Sequence, residues 1–109
     1  MNEEFQEQFN LLRKSYADKI PSRILRIKII EKELLKNNWN DETLIKELYQ
    51  LVHSLAGSSA MFGFLALSDT AHELELFLKS IIKTPILFPD KQYALVSTFI
   101  KKIEQAFSE

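Results

Sequence analysis

The chain has 109 residues, with 14 basic and 15 acidic side chains, a net charge of -1 and an apolar share of 46%. That balance describes one globular domain over residues 1–109 and offers no basic stripe for nucleic acid. Zero cysteines exclude a disulfide framework or thiolate metal site, and the acidic Met-Asn-Glu-Glu-Phe start and the lack of any long apolar run exclude a signal peptide and a membrane helix, which points to the cytoplasm.

Only two glycines and three prolines punctuate the chain, so a few long helices are expected rather than a β-sandwich or barrel. Phe5, Phe9, Leu12, Tyr16 and Ile20 recur with helical spacing, behind Glu3 and Glu4 in a first turn that suits the helix dipole. Ile20-Pro21-Ser22-Arg23 then predicts a break near Lys19 to Pro21, because a residue before proline is biased away from helix and proline suits a new first turn. A second helix would direct Ile24, Ile27, Ile30 or Glu31, Leu34 and Leu35 inward, with Ile29 widening the stripe. Asn37 and Asn38 end it, and Trp39 is expected to plug the end of the bundle.

Asn40 or Asp41 caps the next helix, which runs to about Met61. Its apolar positions from Leu44 to Leu55, with Phe62, cluster on an arc centred near Leu48, Val52 and Ser59 at about 100° per residue. The opposite arc holds Lys46, Gln50, His53 and Gly57. Gly63 is placed to end this helix. A further helix from about Leu65 to Ile82 directs Leu67, Ala71, Leu74, Leu78 and Ile81 inward, with Phe77 beside them. So short a link makes the two helices antiparallel neighbours. Lys83 to Asp90 forms a loop whose apolar centre, Ile86 to Phe88, is expected to fold back on the bundle. Asp90 would cap the last helix, with Val96, Phe99 or Ile100, Ile103 and Phe107 inward. The resulting fold class is all-α: an antiparallel four-helix bundle with an additional N-terminal helix, self-contained enough to suggest a monomer.

Both glycines and one of the two histidines fall inside Leu51 to Gly63. His53 is off the core face, and Gly57 lies one turn further along the same side. A neutral imidazole, abundant near neutral pH, can attack phosphorus. Its helix is a convex rod able to carry the ring into a concave site, and glycine at i+4 removes the side chain that would block the approach. An exposed mid-helix glycine otherwise costs about 1 kcal/mol against alanine. Taken alone, the pair also fits a solvated histidine and a glycine marking close packing or a kink. Ser58 and Ser59 extend the small-residue run, for hydrogen bonding or close packing.

His53-Ser54-Leu55-Ala56-Gly57-Ser58-Ser59-Ala60-Met61-Phe62-Gly63, followed by Leu67, Ala71, Leu74 and Glu75, resembles the signature of the histidine-containing phosphotransfer (HPt) family. Ile20-Pro21-x-Arg23 is similar to a Leu-Pro-x-Arg often found between the first two helices of that family. The resemblance spans nearly the whole chain. It implies a four-helix bundle whose His53 accepts a phosphoryl group from a receiver-domain aspartate and passes it to another receiver. It further implies a carrier without kinase activity and without a cofactor of its own, Mg²⁺ belonging to the receiver. One residue departs from the pattern: the family usually has lysine beside the phosphate at the position of Ala56, and its loss should weaken stabilisation of the phosphorylated state. Lys46 and Gln50, on the arc of His53, are the candidates for compensation, and Gly57, Ala56 and Ser58 for contact with the docking partner.

The departure keeps a second function open, a bundle that docks receivers without carrying phosphate. No nucleophile–base couple or phosphate-cradling glycine loop supports an autonomous enzyme. His72 reads as a surface residue, and two histidines without cysteine do not supply a zinc site.

Overall fold

In the computed structural model, which describes residues 2–83 and 90–108 and the backbone of Pro89, four helices account for nearly all of the described chain. They are α1 (Glu3–Lys36), α2 (Glu42–Met61), α3 (Leu65–Lys83) and α4 (Pro89–Ser108). Packing is most extensive between α2 and α3, then between α3 and α4, and α1 closes the ring against α2 and α4.

The expected break at Pro21 does not occur, so the N-terminal segment is not a separate helix but the first half of α1. Proline inside a helix removes one hydrogen bond and crowds a carbonyl, at a cost of about 3 kcal/mol. The flanking burial outweighs it. Ile20 is fully buried and Ile24 nearly so, on either side of an exposed Pro21; each such side chain contributes about 1.5–3 kcal/mol only if the helical register continues. The Ser22 hydroxyl donates to the Lys19 carbonyl at 3.0 Å in the same turn. One arc of α1 therefore runs unbroken through Tyr16, Ile20, Ile24, Ile27, Ile30 and Leu34, all buried.

A helix of 34 residues is about 51 Å long at 1.5 Å per residue, against about 30 Å for the 20-residue α2. The N-terminal part of α1 overhangs the bundle, in keeping with overall dimensions of 54 × 24 × 21 Å. Phe5 and Leu12 share the apolar face of α1 with Tyr16 and Ile20, but in the overhanging part they are exposed. Leu35 and Ile29 are exposed as well, on the flank of the stripe.

The turns follow local chemistry. Asp41 caps α2, its carboxylate accepting from the Leu44 amide at 3.1 Å. Past Phe62, Gly63 takes φ +82°, and the amides of Phe64 and Gly63 close back on the carbonyls of Ser59 and Ala60 at 2.8 and 3.1 Å. This is the left-handed helix ending that glycine permits without strain. Trp39 plugs the far end as expected, buried and stacked on Tyr93 with ring centroids 4.5 Å apart. Asp90 lies within the first turn of α4 rather than capping it, because the helix begins at Pro89. Ile86 to Phe88 lie outside the described residues. In α4, Val96, Ile100 and Ile103 are buried, while Phe99 and Phe107 pack partly exposed against the core.

Candidate functional site

Val52 and Leu55 are fully buried and fix the rotation of α2, so His53, about 100° round the helix from Val52, is turned outward. Its side chain is 60% exposed. Gly57 is exposed on the same side, and a Cβ built there meets nothing within 4 Å. Packing therefore does not require glycine at this position. Lys46 and Gln50 are exposed on the same arc, one to two turns toward the N-terminus, but neither lines the depression that holds His53.

That open depression, about 360 Å³, lies in the groove between α2 and α3. From α2 it is lined by His53, Ala56 and Gly57; from α3, by Ser68, Asp69, His72 and Glu75. Ala56 is buried, and its carbonyl accepts the Ser68 hydroxyl at 2.8 Å, tying the first turn of α3 to α2 beneath the histidine. The Tyr49 ring lies nearly parallel to the imidazole, 14° apart in plane and 5.9 Å between centroids.

Glu75 organises the polar groups. One carboxylate oxygen, Oε2, accepts a hydrogen bond from His53 Nδ1, and the other, Oε1, accepts from His72 Nδ1 at 3.3 Å. Burial pushes the Glu75 carboxyl up, but the hydrogen bonds from His53 and His72 and the attraction of those rings outweigh it and hold the carboxyl below its ordinary value of 4.5. It is ionised near neutrality and can only accept hydrogen bonds. Both imidazoles must then carry a proton on Nδ1. In a neutral His53 this leaves Nε2 with its lone pair free, as nucleophilic attack requires.

Ser58 and Ser59 act on the other side of α2. Tyr16 of α1 meets Ser58 Oγ at 2.7 Å and Ser59 Oγ at 2.9 Å, and Ser58 donates to the Ser54 carbonyl at 2.7 Å. Arg13 Nε donates to the Phe62 carbonyl at 2.9 Å, and its guanidinium lies 4.2 Å from the centre of the Phe64 ring. These contacts clamp the C-terminal half of α2 to α1.

The sequence reading placed His53, Gly57 and Ala56 together but left out the pairing of Glu75 and the approach of His72 to it. Glu75 entered only as a letter of the family motif. The pairing joins residues 22 apart on two helices, and no spacing rule within one helix reveals it. The three-residue step from His72 to Glu75 was the one signal available, since such residues share a helix face. Among the described residues no group of three or more His, Asp or Glu side chains is arranged to hold a metal ion, and no helix is long and apolar enough to cross a membrane.

Comparison with known proteins bears on the same residues. The family model described as the Hpt domain matches residues 3–106. Searches of curated proteins and of solved structures returned no match. A match that takes in all four helices and the groove between α2 and α3 places the chain in the Hpt domain family, the helical domains of two-component phosphotransfer that work with receiver domains.

Proposed function

We propose that His53 is the phosphoryl-carrying residue of this domain, taking the group from a receiver aspartate and returning it to a second receiver. The observation that carries this reading is the hydrogen bond between His53 Nδ1 and Glu75 on an otherwise exposed ring. It holds the imidazole by one nitrogen and leaves the other for reaction.

In the forward step the Nε2 lone pair attacks the phosphorus of the partner's aspartyl phosphate. An N–P bond forms, the acyl O–P bond breaks, and the aspartate carboxylate leaves. The ring gains positive charge as it forms the bond, and Glu75, already ionised and bonded to the Nδ1 proton, stabilises that charge without rearrangement. Reversal against a second receiver regenerates the free imidazole. Mg²⁺ belongs to the receiver in this scheme, and the carrier needs no nucleotide. Gly57 leaves the approach open beside the ring.

Buried Ala56 favours one other reading, a module that docks receivers without taking phosphate, since the groove holds no lysine. One experiment separates them. Receiver domains phosphorylated with a small acyl phosphate are incubated with the protein and Mg²⁺, and the protein is assayed for an acid-labile, alkali-stable phosphoryl group. The carrier reading expects that label and its loss in His53→Gln. Receiver binding with no label, or label that survives in His53→Gln, refutes it.

A further inference from the structure

A phosphoryl group on His53 is a dianion delivered into a groove whose charged lining is acidic. Asp69 and Glu75 both face the depression. Its remaining lining, apart from the two histidines, is Ala56, Gly57 and Ser68, none of which carries charge. Two carboxylates facing a dianion would oppose its arrival and favour its loss. No residue of α1 or α4, and no lysine or arginine, lines the depression.

His72 is the exception. Apart from His53 itself, it is the one side chain of the lining that can become a cation. It is also oriented, because its Nδ1 is committed to Glu75 Oε1 while His53 uses Oε2 of the same carboxylate. The two rings hang from one carboxylate, with each Nδ1 bound and each Nε2 edge turned away from it. His72 lines the depression with its side chain 60% exposed, and in its protonated form it has a second N–H, on Nε2.

We infer that His72 is the phosphoryl-binding residue of this groove: through the carboxylate of Glu75 it is held beside His53, and it supplies the hydrogen bond and positive charge that steady the phosphoryl group on His53 Nε2. This rests on the carrier reading of His53 and assigns the electrostatic partner that Lys46 and Gln50, both outside the groove, do not provide. The transfer step balances as before. The N–P bond forms at His53 as the receiver's O–P bond breaks, and the proton that His72 takes up comes from solvent and returns there when the group leaves.

The test uses the intact protein and a phosphorylated receiver, with three variants: His72→Ala, His72→Lys and His53→Gln. The wild type is first shown to take label that His53→Gln cannot. His72→Ala is then expected to lower the transfer rate and shorten the phosphohistidine half-life by about tenfold, less than the 10²–10³ of a buried oxyanion donor because the site is open to water and salt. His72→Lys, which restores a cation, should recover most of both losses. A purely structural role for His72 would not be rescued in this way. Transfer and half-life in His72→Ala equal to wild type, or no recovery in His72→Lys, overturn this inference and leave His53 in place. A wild type that takes no label from any phosphorylated receiver overturns both.

Discussion

Removing one oxygen atom, in Tyr16→Phe, tests how α2 is held. Each hydroxyl has a single proton. Ser58 gives its proton to the Ser54 carbonyl, so it accepts from Tyr16, and Tyr16 in turn accepts from Ser59. The chain runs Ser59 to Tyr16 to Ser58 to Ser54. Tyr16→Phe takes out its middle while keeping the ring that stacks on Phe62 at 4.9 Å. Ser58 keeps its carbonyl partner, but Ser59, which is fully buried, loses its only acceptor. Stranding one buried hydroxyl costs about 1–3 kcal/mol, so a loss of about 2 kcal/mol is expected, equivalent to roughly 10 °C in Tm for a domain of this size. Adding Ser59→Ala removes the stranded donor, so the double variant should be about 1 kcal/mol more stable than additivity predicts. Urea denaturation of the wild type, both single variants and the double variant measures this. A Tyr16→Phe loss below about 0.5 kcal/mol, or strict additivity, would show that the hydroxyl chain does not hold the helices.

Three further outcomes follow from the same structure. Gly57→Ala should raise stability by about 1 kcal/mol, since its Cβ meets nothing, while slowing phosphoryl transfer from a receiver; unchanged transfer would remove Gly57 from the docking surface. Glu31, between α1 and α4, has its carboxyl raised above 4.5 by burial first and by Glu104 as well, against the pull of Ser97, Lys101 and Lys28. A raised carboxyl gives stability that is complete below its unfolded value and lost as pH rises through the folded one, so Glu31→Gln should flatten that decline and melt higher than wild type at pH 7. Glu75 has the opposite sign: its carboxyl is lowered, so its contribution is present above 4.5 and lost as pH falls through the folded value. Acid titration of the Glu75→Gln melting curve should lack that slope, and the variant should transfer phosphate more slowly even where both proteins are fully folded.

Periodicity was a sound guide wherever the opposing surface exists. The arcs of α2 and α3, a cap at Asn40 or Asp41 and the ending at Gly63 were legible, because each depends on neighbours within a few residues. Periodicity placed Phe5 and Leu12 on one helix face without saying that they stay exposed, for a definite reason. It reports which face of a helix is apolar but not whether another helix lies opposite, and α1 outruns the bundle. Pro21 failed for a different reason: a local preference of about 3 kcal/mol was set against burial on both sides, and local sequence holds only the first term. Trp39 adds a case of the same kind. It sits at φ +59° after Asn38 at +54°, a conformation unfavourable for a bulky residue, held by the buried stack on Tyr93. The site divides along the same line. His53 and Gly57 share one helix face and could be found by counting, whereas Glu75 and His72 reach His53 only after α3 folds back along α2.

That fold-back also explains how His53 can be exposed and yet fixed. An exposed histidine on an isolated helix would sample several rotamers, and each would have to be frozen at docking. Here the ring is held by the Glu75 carboxylate and flanked by Tyr49, while α2 beneath it is tied to α3 through Ser68 and to α1 through Tyr16 and Arg13. All of these contacts exist before any partner arrives. The ordering cost is therefore met in folding rather than at each encounter, and a partner meets the His53 ring already in one orientation. Such a surface suits a carrier that must meet two receivers in turn, because neither encounter has to rebuild the site. It also locates where the chemistry is sensitive: changes at Tyr16 should act through stability, and changes at Glu75 or His72 through rate.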